Sequence, residues 1–319
     1  MAASGGTKAV VAALAANLTI AVFKFIAWMV THSSSMLAES IHSVADSGNQ
    51  VLLLVGGKRA QRQASREHPF GYGRERYIYS FIVSIVLFSV GGLFALYEAY
   101  EKFLHPHAIE GPWWWVPVAV LVGAIIAETL SFRTAIRESN LVRGKQSWVS
   151  FIRHAKAPEL PVILLEDLGA LLGLIFALFG VSLTLITGNG FFDALGTAMI
   201  GLLLVAIAVV LAVETKSLLL GESATREHVR LIEDALTAGG GRIIHLKTLH
   251  LGPDELLVAA KMSVEPGISS ERIAQTIDAA EARVREAVPI AQVIYIEPDI
   301  YREPHTAAAP GSAPAGSGA

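Results

Sequence analysis

Apolar residues arrive along this chain in long blocks, which run approximately Val10–Val30, Met36–Val55, Ile78–Ala99, Trp114–Leu130, Leu160–Leu183 and Phe191–Val213. An α-helix rising 1.5 Å per residue needs about 20 residues to cross about 30 Å of hydrocarbon. Each block therefore predicts a spanning helix, and together they predict an all-α six-helix transmembrane bundle. The first block is too long for a cleavable signal and lacks a small-residue cleavage site, so it is read as a retained span. After Val213 the pattern changes, and Glu222–Asp299 predicts helix, strand, strand, helix, strand. Ser223 or Thr225 can cap the first of these helices, which buries Val229, Ile232 and Leu236. Ile243–Leu251 and Leu256–Val264 predict two strands around the turn Gly252–Pro253–Asp254. Ile273, Ile277, Ala280, Val284 and Val288 recur at helical spacing, and Val293–Ile296 predicts a third strand. The expected result is a small α+β domain with its helices on one face of the sheet.

Composition agrees with this division. The chain is 53% hydrophobic and 17% charged, outside the range of soluble domains. It has no cysteine, which excludes disulfides and thiolate metal sites. Basic residues fall in alternate connections. Lys58, Arg59, Arg62, Arg66, Arg74 and Arg76 lie between the second and third blocks, and Arg133, Arg137, Arg143, Lys145, Arg153 and Lys156 between the fourth and fifth. The other three connections hold only Lys102. By the positive-inside rule both termini and the basic loops are expected in the cytoplasm of a cell (inner) membrane, with Trp113–Trp114–Trp115 at the outer interface.

The candidate chemistry lies inside the spans, where an ionisable group costs about 2.5–3.5 kcal/mol on insertion scales. In the second block Glu39, His42, Asp46 and Asn49 share one helix face at 100° per residue. Glu166 and Asp167 sit among leucines in the fifth. An imidazole with two or three carboxylates suits Zn²⁺ and tolerates Mn²⁺, Fe²⁺, Co²⁺ or Ni²⁺. Polar contacts between helices are the structural alternative. Lys24, deep in the first block, can snorkel only near an interface or pair with a carboxylate, for which Glu98 and Glu101 are candidates, and the sequence does not decide.

The stretch Leu37-Ala-Glu-Ser-Ile-His-Ser-Val-Ala-Asp46 resembles the second-helix motif of the cation diffusion facilitator family. His68-Pro-Phe-Gly-Tyr-Gly-Arg-Glu-Arg-Tyr77 resembles the loop signature that follows it. Val162-Ile-Leu-Leu-Glu-Asp-Leu168 is similar to the branch that includes the mitochondrial zinc exporter. The resemblance implies a six-span cation-efflux domain over 8–215 and a cytoplasmic ferredoxin-like dimerisation domain over 216–302, while the Ala/Pro/Gly/Ser composition predicts a disordered tail over 303–319. It also implies a homodimer that exchanges metal for protons by alternating access.

His42 and Asp46 match the family's helix-two ligands and Asp167 its helix-five aspartate, but Ile163 stands where the fourth ligand belongs. Glu166, Glu39 or water completes the sphere. Two further family sites are depleted. His68 is retained but Tyr72 replaces its partner histidine. His245 is retained on the first strand, but Ala260-Lys261 and Tyr295-Ile296-Glu297 replace the later ligands. The metal is cargo, so no resident cofactor is expected. The partners are the bilayer, divalent ions, protons and a second copy, with no nucleic acid. The chain is expected to be a transporter and not an enzyme, since no His-Glu-x-x-His or Gly-x-Ser-x-Gly is found in the spans. A non-transporting membrane metal sensor or scaffold is the alternative.

Overall fold

The computed structural model describes residues 3–106 and 113–302. The 303–319 tail expected to be disordered lies outside them. The chain divides into a helical unit, Met1–Glu222 with the turn His250–Asp254, and a second unit made of the remaining C-terminal residues.

The helical unit contains α1 (Ala3–Thr31), α2 (Ser34–Ala60), α3 (Glu75–Leu104), α4 (Val116–Arg143), the short α5 (Trp148–His154), α6 (Glu159–Thr187) and α7 (Phe191–Leu220). Of these, α3, α4, α6 and α7 are each long and apolar enough to cross a membrane. In α2, which is 27 residues long, the ionisable face dilutes the apolar character. The described apolar part of α1, Asn17–Thr31, is shorter than a span. Large side chains such as Phe23, Ile126, Phe179 and Leu202 point outward from four of these helices. Such exposure is stable when the surrounding medium is hydrocarbon.

Local sequence sets the helix ends. Ser33 caps α2 by accepting from the Met36 amide, and His32 turns the chain with a left-handed φ of 53°. Ser147 caps α5, a one-to-two-turn helix that the span pattern does not reveal. In the middle of α3, Leu87–Leu93 widens into a π-helical segment containing Gly91 and Gly92. Such segments shift the register of the side chains that follow and recur at functional sites.

Polar pairs tie the helices together at both ends. At the basic end Arg76 donates to Glu159, and Lys156 donates to Glu222. Burial pushes the Glu222 carboxyl up, but hydrogen bonds from Lys156 and Ser217 outweigh it and hold the group below the usual glutamate range. At the opposite end the Ser33 hydroxyl donates to Asp193 at 3.0 Å, and Lys102 donates to the His32 carbonyl at 3.1 Å.

The second unit is built in the expected order: α8 (Arg226–Thr237), β1 (Arg242–Gly252), β2 (Glu255–Ser263), α9 (Ser270–Ala287) and β3 (Ala291–Asp299). Of the two candidate caps for α8, Thr225 is the one used. The sheet order is β1-β2-β3, with β2 and β3 parallel in register Ala260↔Ile296 and Lys261↔Glu297. Leu256, Val258, Ala260 and Met262 alternate inward along β2 and meet Ile232, Leu236, Ala280 and Val284 from the two helices. β3 is longer than its apolar centre suggests, because Glu297–Asp299 continue the ladder with β2.

A close backbone approach sets α6 against α7. A Cβ on Gly180 would lie 2.7 Å from the Phe192 carbonyl oxygen and 3.2 Å from the Gly196 Cα. Gly180→Leu is expected to force these helices apart, lowering the thermal midpoint by the equivalent of about 1–3 kcal/mol. Gly123→Ala on α4, where nothing lies within 4 Å, should leave stability unchanged or slightly raised. Equal midpoints for Gly180→Leu and the wild type would contradict the close approach.

Candidate metal site

The inward stripe of α2 carries Glu39, His42, Asp46 and Asn49, all buried. Three other helices bring polar groups to it. From α1, where Ala21, Lys24 and Ala27 form the buried stripe, the Lys24 ammonium donates to Glu39 Oε2 at 2.9 Å and to Ser43 Oγ at 2.8 Å. From α6 come Glu166 and Asp167, 5% and 7% exposed. The Asn49 amide donates to Glu166 Oε1 at 2.7 Å. From α4, the Ser131 hydroxyl donates to Asp167 Oδ2 at 3.0 Å.

Lys24 thus pairs with Glu39 and not with Glu98 or Glu101. Glu39 has its own counter-ion, and its other oxygen lies against Gly173 of α6, where an added Cβ would come within 2.7 Å. Glycine at 173 makes room for this carboxylate.

His42 and Asp46 are arranged differently. His42 Nε2 lies 3.4 Å from Asp46 Oδ2, at i,i+4 spacing. Neither ring nitrogen of His42 has a hydrogen-bond partner, nor does Asp46 Oδ1, although His42 is only 1% exposed. A buried imidazole without a hydrogen bond is costly, and a cation accepting its lone pair removes that cost. Asp46 lies within electrostatic reach of Glu166, Glu128, Lys24 and Asp167. The two predicted halves of the site therefore face each other across α2 and α6. Among the described residues no three His, Asp or Glu side chains converge at metal-binding distance. Asn49 engages Glu166 and Ser131 engages Asp167, so a shared cation requires side-chain movement.

Two further carboxylates lie within these helices and do not stand out in the sequence pattern. Glu128 ends an apolar run in which a single acid is easily taken for a loop boundary. Asp193, in the first turn of α7, is fully buried. The signal for both was the same one that identified α2: a carboxylate within a span.

Neither retained histidine of the depleted sites is buried. His68 is exposed, its amide donates to Ser65 Oγ at 3.1 Å, and its ring packs edge-on to Tyr72. In the second unit His245 is exposed. Lys261 reaches Glu297 at 2.9 Å and Asp299 at 3.3 Å, and hydrogen bonds to these carboxylates raise its pKa.

A model of the cation efflux transmembrane domain matches residues 10–220. The chain belongs to the cation efflux, or cation diffusion facilitator, family. This family member is 33% identical over 265 residues to the human protein named proton-coupled zinc antiporter SLC30A9, mitochondrial, covering 82% of this chain and 46% of that protein. It is 27% identical to metal tolerance protein C4 of Arabidopsis thaliana, over 68% of this chain and 47% of that one. An uncharacterized transporter of Methanocaldococcus jannaschii aligns at 23% identity, over 92% of this chain and 98% of its own length. The chain spans about half the length of the zinc antiporters it matches.

Two outcomes follow from this geometry. Breaking the buried Lys24–Glu39 pair from one side, by Lys24→Met or Glu39→Gln, is expected to destabilise the protein by about 3–5 kcal/mol, and the double variant should recover most of the loss. Thermal melts that show the same deficit in the single and double variants would contradict the pairing. The segment Ser217–Glu303 should bind Zn²⁺ weakly or not at all, because Lys261 brings a cation to the ligand position. Calorimetry that detected two tightly bound zinc ions per copy would overturn that reading.

Proposed function

We propose that this chain carries divalent transition-metal ions, zinc foremost, across a bilayer in exchange for protons. The observation that carries this reading is the buried His42–Asp46 pair, with no hydrogen bond at either ring nitrogen, facing the acidic Glu166–Asp167 step of another helix. The names of the zinc antiporter relatives support zinc and proton coupling. His42, Asp46 and Asp167 hold the ion, and Glu166, held by Asn49, is the fourth ligand. Glu39 is left out of this set because Lys24 neutralises it. Imidazole nitrogen with carboxylate oxygen matches the preferences of Zn²⁺ and its neighbours. Ligands must shed protons to take metal, so binding and proton release are linked.

All six long helices act as spans in this reading, with α2 crossing because its ionisable face turns inward. Metal loads from the side of the basic loops, for which the charge bias supports a cytoplasmic position, and rocking of the helices opens the site to the other side. The α+β unit joins two copies into a homodimer. Asp46→Asn is expected to abolish metal flux into proteoliposomes under an imposed pH gradient, while leaving a folded dimer by size-exclusion chromatography. Flux at the wild-type rate would place the site elsewhere. Absence of flux in the wild type would favour a sensor or scaffold over a transporter.

A further inference from the structure

Glu128 is not explained by packing. On α4 the residues Leu121, Ala124, Glu128, Ser131, Ala135 and Ser139 recur at spacings of three and four, one inward stripe. Leu121, Ala124, Ala135 and Ser139 are buried, while Val122, Ile126 and Leu130 on the other faces are exposed. Glu128 therefore projects into the bundle and is half-buried. One turn along the same stripe, Ser131 touches Asp167 at 3.0 Å, which fixes this part of α4 against the acidic step of α6. Glu128 lies within electrostatic reach of Asp167, Lys24 and Glu39. No hydrogen bond or ion pair ties its carboxylate among the described residues. Lys24, the nearby cation, already donates to Glu39 and Ser43.

A carboxylate in a span with no cationic partner of its own raises the energy of the bundle. Here it stands beside other acids, so repulsion adds to desolvation. Such a placement is tolerated where a cation is bound for part of the cycle. A second, independent feature points to the same ligand: the buried imidazole of His42, with neither nitrogen hydrogen-bonded, beside Asp46. Asp46 in turn lies within electrostatic reach of Glu128.

We infer that Glu128 supplies a metal-binding carboxylate from α4, on the Asp167 side of the site, so that the divalent cation is held among three helices and not two. The inference rests on the proposed transport function. It adds to His42, Asp46, Asp167 and Glu166 a further donor from the neighbouring helix that Ser131 docks against Asp167. Glu166 remains on the Asp46 side, where Asn49 holds it.

The test is calorimetric titration of the full-length protein in detergent micelles with Zn²⁺ and, separately, Mn²⁺, alongside thermal melts without metal. Glu128→Gln is expected to weaken binding of both ions by tenfold or more while leaving the metal-free midpoint unchanged or raised, because a repelling charge is gone. Glu128→Asp keeps the charge but shortens the reach, and should also bind measurably more weakly than wild type. Glu138→Gln, an exposed acid on the same helix, should bind like wild type. Binding within twofold of wild type for Glu128→Gln overturns the inference. So does a lowered metal-free midpoint without loss of affinity, the signature of a packing role. Wild-type affinity in Glu128→Asp limits Glu128 to a distant charge and likewise overturns it. If the wild-type protein binds neither ion, the transport reading itself falls. If wild type binds and Asp46→Asn does not, that reading stands whatever Glu128 does.

Discussion

The cost of removing ionisable groups from water governs the helical unit. Each buried acid in an apolar bundle must meet a donor or a cation, or the helix that carries it will not stay inserted. The structure meets this demand piece by piece. Lys24 meets Glu39, Asn49 meets Glu166, Ser131 meets Asp167 and Ser33 meets Asp193. Each of these bonds joins two different helices, so satisfying the acids also sets which helices pack together. The Lys24–Glu39 pair binds α1 to α2, and the bonds of Asn49 and Ser131 draw α2 and α4 onto α6. His42 and Asp46 face the cost differently, since part of their bonding capacity is left for something else. The same requirement therefore yields a scaffold of satisfied pairs and leaves one buried pair open.

Glycine complements this polar framework. Backbone contact at Gly180 and Gly196 brings α6 against α7, and Gly173 opens space on α6 for the Glu39 carboxylate. Without that space Glu39 could not lie alongside α6 while reaching back to Lys24. Family membership is consistent with this division between fixed pairs and an open pair. The matched domain, 10–220, contains every residue of the candidate site.

Much of this was legible in the chain. Helical spacing placed Glu39, His42, Asp46 and Asn49 on one face, because that depends only on 3.6 residues per turn. The order of elements in the C-terminal unit followed from the change of period from 3.6 to 2. The partner of Lys24 was not legible: it depends on which helix packs against α1, and the candidates Glu98 and Glu101 lie on a helix elsewhere in the bundle. Glu128 escaped notice because an acid near the end of an apolar run looks like a boundary, and only the buried stripe around it reveals its direction. The π-helical segment of α3 left no trace, since Gly91-Gly92 within a span reads equally as a packing notch. Glu39 was counted among the ligand candidates for its face alone, and the structure adds the ammonium group that neutralises it.

One imidazole and several carboxylates, all within the long helices, make up the proposed cation site. X-ray absorption at the zinc edge, on full-length protein loaded with one equivalent of Zn²⁺ in detergent micelles, tests it most directly. Such a site gives a shell of nitrogen and oxygen at about 2.0–2.2 Å, with the outer scattering of a single imidazole. A shell containing two or more imidazoles, or none, would contradict it and move the metal away from His42.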